Sequence, residues 1–136
     1  MYEVFEHTAD LGLRVRAADL EMLFVDAARG LFSVIVANLD EVSPVHQIEI
    51  HLSGNQHDFL LFDWLSELLY RSETEHLVLS QFDVRLPPGE LYATARGERL
   101  DPARHILAHE VKAITYHELK LEQTPSGWQA EVIVDI

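Results

Sequence analysis

Asp10 and Asp135 are the residues of this 136-residue chain whose type and position most invite chemistry. Asp135 follows three β-branched residues, Val132, Ile133 and Val134, and adjoins Ile136, whose terminal carboxylate adds negative charge to a short piece of strand. A divalent cation would relieve that repulsion. Two carboxylates with main-chain or terminal oxygens make an oxygen-only ligand set, which suits Ca2+, Mg2+ or Mn2+ better than zinc. Each acid also has an ordinary reading. A carboxylate after His7-Thr8-Ala9 can cap local backbone N–H groups, and acids near a chain end are often only solvated. Spacing alone leaves both readings open.

Eight histidines raise a second possibility. His105 and His109 stand four apart, with His117 further on, and a metal-dependent hydrolase could use the three together. The spacing needs a helix to put the first two on one face, and His109-Glu110-Val111-Lys112-Ala113 lacks the second histidine of an H-E-x-x-H helix. There is no G-x-S-x-G elbow, P-loop or glycine-rich dinucleotide turn. No assembled active site is expected. A third reading, a small-molecule-binding module, requires a roomy apolar pocket.

Few elements are available to position these residues. Tyr2 to Glu6 reads as a short strand, and Leu11, Leu13, Val15 and Ala17 alternate with polar or small residues as a second, with His7 to Asp10 as the turn between them. Asp19 is an N-cap for a helix whose apolar residues, Leu20, Leu23, Phe24, Ala27, Ala28, Leu31, Phe32 and Ile35, recur at spacings of three and four. Ile48, Ile50 and Leu52 mark a strand that ends at Ser53-Gly54-Asn55. From His57 to Ser72 apolar residues occupy most of the circumference of a helix covered on several sides. Phe82 to Leu86 and Leu91 to Ala95 are two strands joined at Pro87-Pro88-Gly89.

Leu100 to His109, which contains Asp101-Pro102, reads as a loop, and Glu110 to Glu122 as one long strand. Polar residues fall on both faces of that strand, so either Lys112 or His117 is held by a buried partner or the strand lies at an edge. Thr124-Pro125-Ser126-Gly127 turns into a last strand that runs through Asp135. The expected fold is a single α+β domain over residues 1–136, two-layered, with two main helices on one face of a largely antiparallel sheet. Both ends of the chain enter that sheet, which allows Asp10 and Asp135 to meet.

Composition limits the partners. Ten Lys and Arg against 23 Asp and Glu give a formal charge of -13, and the basic residues are scattered rather than striped, so direct nucleic-acid binding is not expected. A basic protein or a cation suits this surface better, although acidity also serves solubility. The absence of Cys fits a reducing compartment and a cytoplasmic location. No apolar run approaches the roughly 20 residues needed to cross a bilayer, so no membrane association is expected.

Three stretches together resemble the archease family: Phe5-Glu6-His7-Thr8-Ala9-Asp10, Trp64-Leu65-Ser66-Glu67-Leu68-Leu69-Tyr70, and Glu110-Val111-Lys112-Ala113-Ile114-Thr115-Tyr116-His117 with the ending Val134-Asp135-Ile136. Arg104-His105 fits as well. Ser66 departs from the pattern, and His76 stands after Glu75 where glycine is usual; both lie away from the acids. The resemblance implies a strand-helix-strand-strand module elaborated by further strands. It also implies a non-catalytic cofactor of a GTP-dependent RNA ligase, one that promotes ligase guanylylation and multiple turnover in tRNA splicing and RNA repair. Carried over by position, the family's metal site falls on Asp10, Asp135 and Ile136, with Ca2+ as the ion and Mg2+ or Mn2+ as substitutes. His7 and Lys112 are then neighbouring or partner-facing groups.

Overall fold

Asp19 starts the element on which the rest is laid. Its carboxylate accepts the Met22 N–H at 2.8 Å, satisfying one of the unpaired donors of the first turn, and α1 (Leu20–Ile35) follows. In the computed structural model, which describes residues 1–136, Leu23, Phe24, Ala27, Ala28, Leu31 and Phe32 are all fully enclosed. At about 100° per residue these six positions spread over about half the helix circumference. One layer cannot cover so wide an arc.

The strands accordingly divide between two sheets. The first contains β1 (Tyr2–His7), β2 (Asp10–Ala17), β6 (Ala113–Ile114), β7 (Lys120–Thr124) and β8 (Gly127–Asp135), and the second contains β3 (His46–Ser53), β4 (Leu77–Arg85) and β5 (Glu90–Arg99). β8 is central to the first, paired with β2 along one edge and with both β6 and β7 along the other. The second runs β3-β5-β4. All pairings are antiparallel. The α+β class and antiparallel pairing expected from the sequence hold, but the expected single sheet is two, with α1 packed against β2 of one and β4 of the other.

The second helix, α2 (His57–Glu75), ties the layers together. Trp64 is fully enclosed, and its indole N–H donates to the Phe24 carbonyl of α1 at 3.0 Å, so the largest core side chain buries no unpaired polar group. Its ring meets Phe82 of β4 edge-on at 6.2 Å, and Phe82 in turn stacks on Phe32 at 5.9 Å. The helix runs three residues beyond the expected Ser72 and ends at His76, whose φ of 55° is left-handed. A glycine would adopt that conformation without the Cβ penalty.

The largest departure lies between residues 110 and 122. Instead of one long strand there are two short ones, and from Ile114↔Val134 to Lys120↔Glu131 β8 advances three residues while its partner advances six. Three residues are looped out. Leu119 N–H closes the excursion on the Tyr116 carbonyl at 3.1 Å, and Glu118 sits at φ 53°. The polar residues on both faces of this segment therefore mark a turn rather than a two-faced edge strand. The Leu100–His109 segment is irregular as expected, yet anchored: Ala108 and His109 donate to the carbonyls of Ile35 and Val34 at 2.9 and 3.1 Å.

β4 also starts earlier than expected, at Leu77, and carries a bulge between Leu79 and Gln81. The bulge brings the Val78 carbonyl so close to Gly97 that a Cβ there would lie 1.8 Å from the oxygen. Backbone, unlike a side chain, cannot swing aside. Gly97→Ala should therefore destabilise the protein by about 3 kcal/mol, the upper end for overpacking, measured by urea unfolding. Gly12→Ala, which would displace only the Phe5 ring, should cost clearly less.

Candidate metal centre

The register of the first sheet determines which side chains share a row. His7 lies opposite Asp10 and Ala113 opposite Asp135. Leu11 pairs with Val134, and one further step along that ladder sets Asp10 opposite Asp135. His7, Asp10, Asp135 and Ala113 thus form one row across four strands. Their side chains lie on the face opposite to Leu13, Val15, Val132 and Val134, which enter the core.

Asp10 and Asp135 are half-buried, and neither carboxylate takes a hydrogen bond or an ion pair. Like charges directly opposite each other destabilise a sheet. The cation nearest along the same face of β2, Arg14, is already committed: its guanidinium binds Glu131 at 2.7 Å and Glu3 at 2.9 Å and lies 4.6 Å above the Phe5 ring. The hydrogen bonds it donates to Glu3 and then Glu131 raise its pKa further. The Lys112 ammonium is exposed and unpaired, while its backbone N–H donates to the Asp135 carbonyl at 2.7 Å. That bond fixes the end of β8 and places the Ile136 main chain beside the two acids. Two uncompensated carboxylates beside a main-chain oxygen fit a hard cation of the Ca2+ type.

A second constellation shares the row. His7 Nε2 lies 3.1 Å from Glu118 Oε2, His117 Nε2 lies 3.9 Å from Glu118 Oε1, and the two imidazoles meet edge-on at 5.4 Å. The looped-out residues bring His117 and Glu118 back to His7, although β1 and β6 are the sheet's opposite edges. His7 Nδ1 is buried without a hydrogen-bond partner, which costs about 1–3 kcal/mol for a neutral polar group. His117 is 61% exposed, so no buried partner holds it. Glu118 carried no signal in the sequence, since its reach depends on a left-handed backbone at an unremarkable residue.

The three histidines proposed for hydrolysis are not brought together. His105 is buried and spent: its Nδ1 accepts the Asp101 N–H at 2.9 Å and its Nε2 meets Glu98 Oε1 at 2.7 Å, while Arg104 binds Glu98 Oε2 at 2.8 Å. A nitrogen that accepts a backbone N–H has no lone pair for a metal. Arg104-His105 instead pins the Leu100–His109 segment to β5. For the small-molecule reading, the core itself is closed by well-packed aromatic and aliphatic side chains, and the apolar space on offer is a surface depression lined by Ile35, Leu69, Leu77, Leu100, Leu107 and Val111, away from the acidic row.

The sequence model of the Archease protein family (MTH1598/TM1083) matches residues 2–136. The chain is 42% identical over 139 residues to protein archease of Methanopyrus kandleri, covering 99% of each, and 41% identical over 140 residues to that of Pyrococcus abyssi, covering 99% of this chain and 98% of the relative. Its fold is similar to the solution structure of Methanobacterium thermoautotrophicum protein 1598, with TM-score 0.89 and 32% identity over 99% of this chain and 98% of that one. It also resembles the crystal structure of a Thermotoga maritima archease described as a possible chaperone, with TM-score 0.69 and 21% identity over 100% and 98%.

Hydrogen bonds from Arg104, and then His105, hold the Glu98 carboxyl below the usual carboxylate range. A depressed folded-state pKa adds stability that is complete above the unfolded value, near 4.3, and is lost as pH falls through the folded one. Glu98→Gln should thus be less stable than the wild type at neutral pH, with the gap closing progressively below about pH 4. Urea midpoints measured across that range will show whether it does.

Proposed function

The chain belongs to the archease family, and from that premise we propose that it is a non-catalytic accessory protein that activates a GTP-dependent RNA ligase. In this reading it promotes guanylylation and multiple turnover of the ligase in tRNA splicing or RNA repair, in the cytoplasm. Asp10, Asp135 and Ile136 hold a Ca2+ ion, and Mg2+ or Mn2+ can take its place. The observation that carries the reading is the pair of half-buried, uncompensated carboxylates set opposite each other by the β2–β8 register. When bound, the ion supplies charge neutralisation that lets the two strand ends stay together. His7 and Lys112 flank this tip, and the exposed Lys112 ammonium is free to meet a partner.

Two further features support an accessory role over direct RNA handling. The charge of -13 complements a basic RNA-binding enzyme. Several of the ten basic side chains are also occupied in ion pairs, among them Arg14, Arg71, Arg96 and Arg104, which leaves few to displace counterions from phosphate. No helix is long and apolar enough to cross a membrane.

Asp10→Asn and Asp135→Asn should each weaken Ca2+ binding by at least about 10-fold, since even groups one shell behind a ligand cost that much. Without metal, either variant should be slightly more stable than the wild type, by about 0.2–1 kcal/mol, because the opposed charges are gone. Multiple-turnover ligation by the cognate ligase should lose its stimulation in both. Unchanged stimulation with Ca2+ affinity abolished would sink the role of the ion, and no stimulation by the wild-type protein would sink the proposal.

A further inference from the structure

We propose that His7, His117 and Glu118 form a second metal site, distinct in chemistry from the acidic pair and selective for a borderline divalent transition ion of the zinc class. The inference does not rest on the ligase reading. Two imidazoles and a carboxylate are a donor set that suits such an ion, whereas oxygen-only donors suit a hard one. One ligand atom from each residue lies within 4.8 Å of the other two. A tetrahedral ion with ligands at about 2.1 Å sets them about 3.4 Å apart; His7 Nε2 lies 3.1 Å from Glu118 Oε2 and His117 Nε2 lies 3.9 Å from the other oxygen, Oε1, so the carboxylate sits between the two imidazoles at separations close to that value. The residues are thus already gathered to within a small side-chain adjustment of a coordination shell.

The environment points the same way. Glu118 can only accept, so with neutral imidazole its contact with His7 Nε2 requires the proton there and leaves Nδ1 as a bare lone pair, buried and unpartnered. A metal at Nε2 moves the proton to Nδ1, whose cross-strand neighbour is Asp10, and a carboxylate is the usual acceptor behind a metal-bound histidine. His117 and Glu118 are each 61% exposed, so the remaining coordination position opens outward, to water or to a group on another protein. The neighbouring Tyr116 stacks on Phe62 of α2 at 3.8 Å. An ion here therefore clasps the looped-out segment between α2 and β1, beside the acidic row.

Co2+ titration of the untagged full chain, followed by visible absorption, tests this. One Co2+ per chain should give ligand-field bands characteristic of nitrogen ligation, and Zn2+ should bleach them. His117→Ala and Glu118→Gln should each weaken binding by at least about 10-fold, whereas His109→Ala, an exposed histidine outside the cluster, should leave it unchanged. Absence of the bands in the wild type, or their survival in His117→Ala, overturns the proposal. So does their loss in Asp135→Asn with survival in His117→Ala, which would place the ion at the acidic pair. Because absorption and not ligation is read, failure here leaves Ca2+-dependent stimulation untouched.

Discussion

Everything at the candidate site depends on the antiparallel ladder between β2 and β8. Leu11 and Val134 are separated by almost the whole chain, yet their pairing decides that Asp10 faces Asp135 and that His7 shares their row. Because side chains alternate, a slip of β8 by one residue would turn Asp135 toward the core, away from Asp10, and push Val132 and Val134 out into solvent. The apolar alternation of the two strands thus fixes a polar arrangement on the opposite face. The chemistry of the site is enforced from the core side.

That enforcement needs α1 to be held from both sides. Its apolar arc presses on β2 in one sheet and β4 in the other, and the Trp64 bond to Phe24 ties α2 to the same helix. On the outer face the arrangement is electrostatic instead. Glu3, Arg14 and Glu131 form a charged row across β1, β2 and β8, with Phe5 laid over Gly12 between that row and the acids. Arg14 is therefore used up four residues short of Asp10.

The sequence made legible whatever local periodicity encodes. Asp19 and the three-and-four spacing after it defined α1 to its ends, and alternation located β1, β2, β3 and β8. The meeting of Asp10 with Asp135 was allowed by that reading and specified by the family motifs. Two things were hidden. The division into two sheets follows from how wide an arc of α1 is apolar, a property of packing and not of any strand. The break at residues 115–119 depends on a register shift against β8 and a left-handed Glu118, neither of which leaves a mark in residue types beyond a mixture of polar residues on both faces. Glu118 was missed for this reason, and His105 stood open as an alternative ligand because its buried partner, Glu98, comes from another element.

β8 has a further consequence, for the order in which the molecule assembles. It is last in sequence but interior to its sheet, bonded along both edges, so its placement closes a loop of more than a hundred residues. Contacts of that span are the slow ones, because the entropy of closure must be met before they yield any stabilisation. The α1–α2 pair and the β3-β5-β4 sheet can form from segments nearer in sequence, while the row of His7, Asp10 and Asp135 cannot exist until β8 is seated. The meeting of Asp10 with Asp135 thus arrives together with the final closure of the fold, and a chain in which the two acids face each other is one that has finished folding.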